Sequence, residues 1–137
     1  MKLRAVLPDE LPRIHAMLSA ATLPTEDLSG GAVQFIVADS DDEVVGAIGL
    51  ETFGSVGLLR SLVVRPELRG AGIGGQLVTA LETHARENNL GQLVLLTQTA
   101  APFFTARGYD AIDRKDAPPS VQSSAEFRSL CPASATC

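Results

Sequence analysis

Apolar residues recur along the chain with two periods, and the switches between them predict its elements. Residues 2–7 alternate polar and apolar side chains, as a short strand does. Asp9 is placed to cap a helix carrying the stripe Leu11, Ile14, Met17, Leu18 and Ala21, and Pro24 ends that stretch. Residues 25–32, with Ser29, Gly30 and Gly31, read as a loop. Residues 34–38 and 44–50 read as a hairpin closed by the acidic run Asp39, Asp41, Asp42 and Glu43, a solvated turn rather than a metal site. Residues 57–64 form the next strand, with Leu58, Arg60, Leu62 and Val64 on one face and Leu59, Ser61 and Val63 on the other. From residue 72 to about 88 the apolar positions Ile73, Leu77, Val78, Leu81 and Ala85 take helical spacing, and Glu82 and Arg86 form an i,i+4 pair outside. Residues 93–97 suit a buried strand and 100–107 a short helix. Gly108 permits a left-handed exit from that helix, and residues 109–112 resume a strand. A final strand is expected at 125–127. Strands and helices alternating around a hairpin predict one α/β (α+β) domain over residues 1–137, a mixed central sheet flanked by helices, with 117–137 its least typical part.

Between the strand 57–64 and the helix from 72 lies Arg65-Pro66-Glu67-Leu68-Arg69-Gly70-Ala71-Gly72-Ile73-Gly74-Gly75. Glycines lack a Cβ, so an anion can approach their backbone closely, and the opening N–H groups of a helix at its positive end suit a diphosphate. A nucleotide P-loop would need Gly-Lys-Ser/Thr, whereas Gly74 and Gly75 are followed by Gln76 and Leu77. The dinucleotide spacing G-x-G-x-x-G is met by Gly70, Gly72 and Gly75. Its context is missing, because five residues separate strand and glycine and residues 93–98 hold no acid for a ribose. Arg60 lies inside an apolar run where an unpaired guanidinium is costly to bury; either it points into a wet cleft or it pairs with an acid at the sheet edge.

Arg69, Gly72 and Gly74 fit the acyl-CoA loop of the GNAT acetyltransferase superfamily, which this chain resembles over about residues 1–115. A second signature, Phe103-Phe104-Thr105-Ala106-Arg107-Gly108-Tyr109, follows in the right order. The resemblance implies acetyl-CoA as co-substrate, with its diphosphate over Arg69, Gly70, Gly72, Ile73 and Gly74. It also implies splayed strands at the acyl-CoA site, with the pantetheine arm bonded to the backbone of Leu62 and Val64 and packed on Phe103 and Phe104. Glu51, at a strand end, is the candidate base, directly or through water. Thr97 and Thr99 are candidates to orient acceptor or water. Many family members carry Tyr where Phe104 stands and use its phenol to protonate the leaving thiolate, which phenylalanine cannot do. Water can serve, because a CoA thiol resembles cysteine, with a pKa around 8.5.

Three further stretches, Leu59-Arg60-Ser61-Leu62-Val63-Val64, Leu96-Thr97-Gln98-Thr99-Ala100 and Glu126-Phe127-Arg128-Ser129-Leu130-Cys131-Pro132, resemble the small family members associated with arsenic resistance. They imply a small amine acceptor, such as a glutamate-like toxin bearing an arsenic or phosphorus acid, with Arg60, Ser61 and Thr99 binding that acid. Against this N-acetyltransferase reading stand a non-catalytic acyl-CoA-binding or metalloid-sensing module using Cys131, and acetylation of a protein or peptide.

Composition narrows the partners. A net charge of −5, one Tyr and five Phe argue against general nucleic-acid binding, though Arg60, Arg65 and Arg69 gather positive charge near the loop. No apolar run is long enough to cross a bilayer and the first residues do not read as a secretory signal, so a cytoplasmic location is expected. Cys131 and Cys137 are too few for a disulfide framework or a closed zinc site, so free thiols and no metal are expected. The family resemblance implies a homodimer.

Overall fold

A computed structural model describes residues 1–21, 23, 33–96, 101–112 and 116–122. The strands are β1 (Lys2–Ala5), β2 (Val33–Ser40), β3 (Glu43–Phe53), β4 (Val56–Val64) and β5 (Gln92–Val94). They form one five-stranded sheet in the order β1-β2-β3-β4-β5. The first four are antiparallel neighbours and β5 joins β4 in parallel. The helices are α1 (Leu11–Ala20), α2 (Ile73–Glu87), α3 (Ala101–Ala106) and the single turn α4 (Pro119–Gln122). This is the mixed sheet flanked by helices that the periodicity predicts.

Each face of the sheet is apolar where a helix covers it. Leu77, Val78 and Leu81 of α2 pack with Phe104 of α3 on Ala38, Ile48, Leu50, Leu59 and Val64. Ile14 and Leu18 of α1 pack on the opposite face against Phe35, Val37, Ala47 and Val63. A smaller cluster joins Val56, Leu58 and Val94 to Ala117 and Val121. The β2–β3 hairpin closes through Asp41 (φ 52°) and Asp42 (φ 66°), two left-handed residues whose twist matches that of the strands.

Several sequence expectations need correction. Asp9 lies in a 3-10 turn over Pro8–Glu10 and is not the cap of α1, which starts after Glu10 without a side-chain cap. Glu10 instead accepts from the Leu7 N–H at 2.9 Å and is gripped by Arg4 at 2.7 and 2.9 Å, joining β1 to the α1 entry. Asp39 and Glu43 are not simply solvated: Asp39 pairs with Arg4 at 3.1 Å and Glu43 with Arg65 at 2.9 Å. Residues 109–112 make no strand. The Tyr109 N–H returns to the Phe104 carbonyl at 3.0 Å and the tyrosine ring packs on Phe104, so the chain folds back on α3.

The largest departure is in β4. Its register with β3 advances from Ala47↔Val63 to Gly49↔Arg60, three residues on β4 against two on β3. The extra residue is a β-bulge at Ser61 and Leu62, and Ser61 takes φ 59°, a left-handed value uncommon for a serine. The alternation predicted for the strand therefore breaks: Leu59 and Val64, five residues apart, both face α2, while Val63 faces α1.

Candidate active site

The sheet opens just before the bulge. β4 and β5 pair through Val56↔Gln92, Gly57↔Leu93 and Leu58↔Val94, and there β5 ends. The next six β4 residues, Leu59 to Val64, have no β5 partner among the described residues. At about 3.3 Å per residue that is roughly 20 Å of strand whose outward backbone groups can take an extended ligand as an added strand. The predicted splay is present.

Glu51 stands where the strands part, since its register partner on β4 is Leu58, the last residue that pairs with β5. Its Oε1 accepts from Nη1 of Arg60 at 3.2 Å, and Nε of Arg60 donates to the Ser61 hydroxyl at 3.2 Å. The Arg60 side chain is wholly buried and that of Glu51 is 14% exposed. This decides between the two expectations for Arg60: it pairs with an acid, and that acid is in mid-sheet rather than at an edge. A buried ion pair holds both partners in a fixed geometry because separating them leaves a charge without water. One guanidinium thus ties the candidate base to the bulge residue.

The other end of the opening is the glycine loop. Gly70 (φ 89°) and Gly72 (φ 83°) both take left-handed backbone, and a Cβ built on either meets no protein atom within 4 Å. The loop is exposed from Arg69 to Gly72. Gly72 is the N-cap of α2, and the first helical bond runs from Gln76 N–H to Gly72 C=O at 3.1 Å. The N–H groups of Ile73, Gly74 and Gly75 therefore have no acceptor within the helix and lie at its positive end. An open cradle of amides and bare Cα atoms fits a diphosphate.

Positive charge around this cradle differs from the expected patch. Arg65 is bound to Glu43 at 2.9 Å and Glu67 at 2.6 Å, and Arg60 is buried with Glu51. Arg69 remains beside the loop, but its Nε donates to the Val64 carbonyl at 3.1 Å, so that carbonyl is already engaged. The expected phenylalanine pair divides. Phe103 is 37% exposed and reaches to 3.9 Å from the Cβ position of Gly74, whereas Phe104 is buried in the α2-facing core. Tyr109 donates its hydroxyl to Glu82 at 2.9 Å, and burial followed by that bond pushes its phenol well above the usual tyrosine value. It is therefore not placed to protonate a thiolate. Thr97, Thr99, Cys131, Cys137 and the expected 25–32 loop and 125–127 strand lie outside the described residues.

Residues 31–111 match the acetyltransferase (GNAT) domain family, a span that contains the opened strand pair, the glycine loop and α3. The chain belongs to the GNAT acetyltransferases. An IAA acetyltransferase from Azospirillum brasilense is 35% identical to this GNAT domain over 77 residues, 55% of the chain and 50% of that protein. An amino-acid acetyltransferase from Pseudomonas fluorescens is 33% identical over 79 residues, 56% of the chain and 18% of that protein. The chain thus spans half or less of these two relatives. A Mycobacterium tuberculosis protein solved in complex with CoA and NLQ superposes with a TM-score of 0.74 at 30% identity, covering 82% of this chain and 73% of that one. Sequence reasoning did not single out Arg107, whose Nη2 donates to the Gly75 carbonyl at 3.1 Å. It lies across the first turn of α2, although its place in the second signature was in view.

Proposed function

We propose that this GNAT domain transfers the acetyl group of acetyl-CoA to the amino group of a small, amino-acid-like acceptor. One observation carries the reading: β4 and β5 separate at the register level of Glu51, and β4 leads on to an exposed amide cradle at Gly70 and Gly72. Arg69, Gly70, Gly72, Ile73 and Gly74 would hold the diphosphate, with the backbone of Leu62 and Val64 along the arm and Phe103 beside it. Acetyl-CoA supplies an activated acyl thioester. Glu51, fixed by Arg60, takes the proton of the acceptor amine directly or through water. Backbone N–H groups of β4 beyond Leu58 polarise the thioester carbonyl, an effect typically worth ~3 kcal/mol per donor. The leaving thiolate draws its proton from solvent, consistent with Phe104 and Tyr109 offering none.

The amino-acid class is supported by the Pseudomonas fluorescens relative's name. Within it, the glutamate-like compounds bearing an arsenic or phosphorus acid, implied by the sequence resemblance, are the first acceptors to try. Arg60 would then act on them through Glu51 and Ser61 rather than by direct contact. The test is thiol release from acetyl-CoA by purified protein over a panel of α-amino acids, such glutamate analogues, indole-3-acetate and a lysine peptide. Turnover with an α-amino acid or glutamate analogue supports the proposal. CoA binding without turnover on any acceptor would replace it with a non-catalytic acyl-CoA-binding role.

A further inference from the structure

We propose that Arg107 is a second phosphate-binding residue for coenzyme A, engaging the phosphorylated nucleotide end of the co-substrate from across the first turn of α2. The inference rests on the glycine loop being the diphosphate cradle.

Arg107 follows α3 and its guanidinium is held from three sides. Nη2 donates to the Gly75 carbonyl at 3.1 Å and to the Thr79 hydroxyl at 2.6 Å, and the guanidinium carbon lies 5.8 Å from the centre of the Phe103 ring. All three anchors are neutral, and Arg107 makes no ion pair among the described residues. The acids near other arginines are engaged elsewhere, Glu10 and Asp39 with Arg4, Glu51 with Arg60, and Glu43 and Glu67 with Arg65. A side chain normally left to sample water is thus fixed in place, without an ion-pair partner among the described residues, at the positive end of a 15-residue helix. The two positive fields reinforce one another, an arrangement that favours a bound anion.

Gly75 points the same way. A Cβ there would lie 3.1 Å from Nη1 of Arg107, so a side chain at this position would push the guanidinium from its present seat by a few tenths of an ångström. The surface beside it is open: a groove of about 590 Å³ is lined by Gly72, Gly75, Gln76, Thr79 and Arg107. Room, donors and a guanidinium with no ion pair among the described residues therefore coincide next to the amide cradle.

The proposal is tested by calorimetric titration of the full chain and its variants with CoA and with dephospho-CoA, which needs no knowledge of the acceptor. Arg107→Ala is expected to weaken CoA about tenfold, as befits a charge-assisted hydrogen bond at an exposed site. An equal loss with dephospho-CoA assigns the contact to the diphosphate, and a loss confined to CoA assigns it to the 3′-phosphate. Should Arg107→Ala disturb folding, Arg107→Gln removes the charge while leaving an amide to bond Thr79. Affinity for CoA within twofold of wild type in a folded variant overturns the proposal. An Arg69→Ala control separates the two readings: if it weakens CoA while Arg107→Ala does not, the cradle stands and Arg107 is structural. If neither changes binding, the cradle itself is wrong.

Discussion

Replacing Gly72 by alanine separates what the loop does for the fold from what it does for a ligand. At φ 83° an L-residue carries strain of about 1–2 kcal/mol. The loss of chain freedom in the unfolded state returns about 0.4–1 kcal/mol. No clash adds to this, because the new Cβ meets no protein atom within 4 Å. Gly72→Ala should therefore destabilise the protein by roughly 1 kcal/mol, a fall of roughly 4 °C in melting temperature for a chain of this size. Gly54 provides the control, with φ 64°, the same empty surroundings and a place in the distant β3–β4 turn. Gly54→Ala should cost the same stability. The two must then differ in binding: a methyl group in the cradle that displaces one amide-to-phosphate contact costs about 1.5–3 kcal/mol, roughly 10- to 150-fold in CoA affinity. Denaturant midpoints and CoA calorimetry on both variants provide the comparison. If Gly72→Ala binds CoA as tightly as Gly54→Ala does, phosphate does not sit on this loop and the functional reading loses its footing.

Other outcomes follow from the same geometry. Glu51→Gln should lower kcat on any accepted amine by about 10²- to 10⁴-fold while leaving the KM for acetyl-CoA nearly unchanged, and a loss under tenfold would remove Glu51 as the base. Gly49→Ala would place a Cβ 2.8 Å from Val33 Cγ1 and 3.3 Å from the Arg60 carbonyl, so an overpacking cost of about 1–3 kcal/mol is expected in denaturant titrations. Leu81, fully buried on the sheet-facing side of α2, should cost about 2–5 kcal/mol when cut to alanine, measured the same way. The Arg4 guanidinium and then the Leu7 N–H hold the Glu10 carboxyl down to about 2 from 4.5. Because the folded value is the lower one, this contribution is complete above about pH 4.5 and is lost as pH falls toward 2. Glu10→Gln should flatten the stability profile in that window, and an unchanged profile would show that the Arg4 clamp contributes nothing.

The elements that could be read from the chain were those whose own side chains repeat with one period. The apolar stripe of α2 and the hairpin around Asp41 and Asp42 are of this kind, and so is the glycine loop, because backbone freedom is a property of the residues themselves. What escaped depends on partners distant in sequence. Ser61 occupies its left-handed position because three β4 residues must span two of β3, a mismatch visible only once the strands are paired. Tyr109 was read as a strand residue, but its N–H bond to Phe104 and hydroxyl bond to Glu82 fold the segment against α3 and α2. Arg60, Arg65 and Arg69 were counted as one positive patch from proximity in sequence. Ion pairs with Glu51, Glu43 and Glu67 neutralise two of them, while Arg107, 38 positions beyond Arg69 in the numbering, supplies the replacement.

The odd residue count in β4 also constrains any attempt to harden this scaffold. A strand shortened by one at Ser61 would regain perfect alternation and relieve a strained serine. It would leave Leu59 and Val64 four residues apart and still facing α2, but it would also remove the local bend and extra twist that a bulge gives its strand, at the place where the slot lies. Engineering for heat resistance would favour such a repair, and the sturdier protein would have lost its workplace.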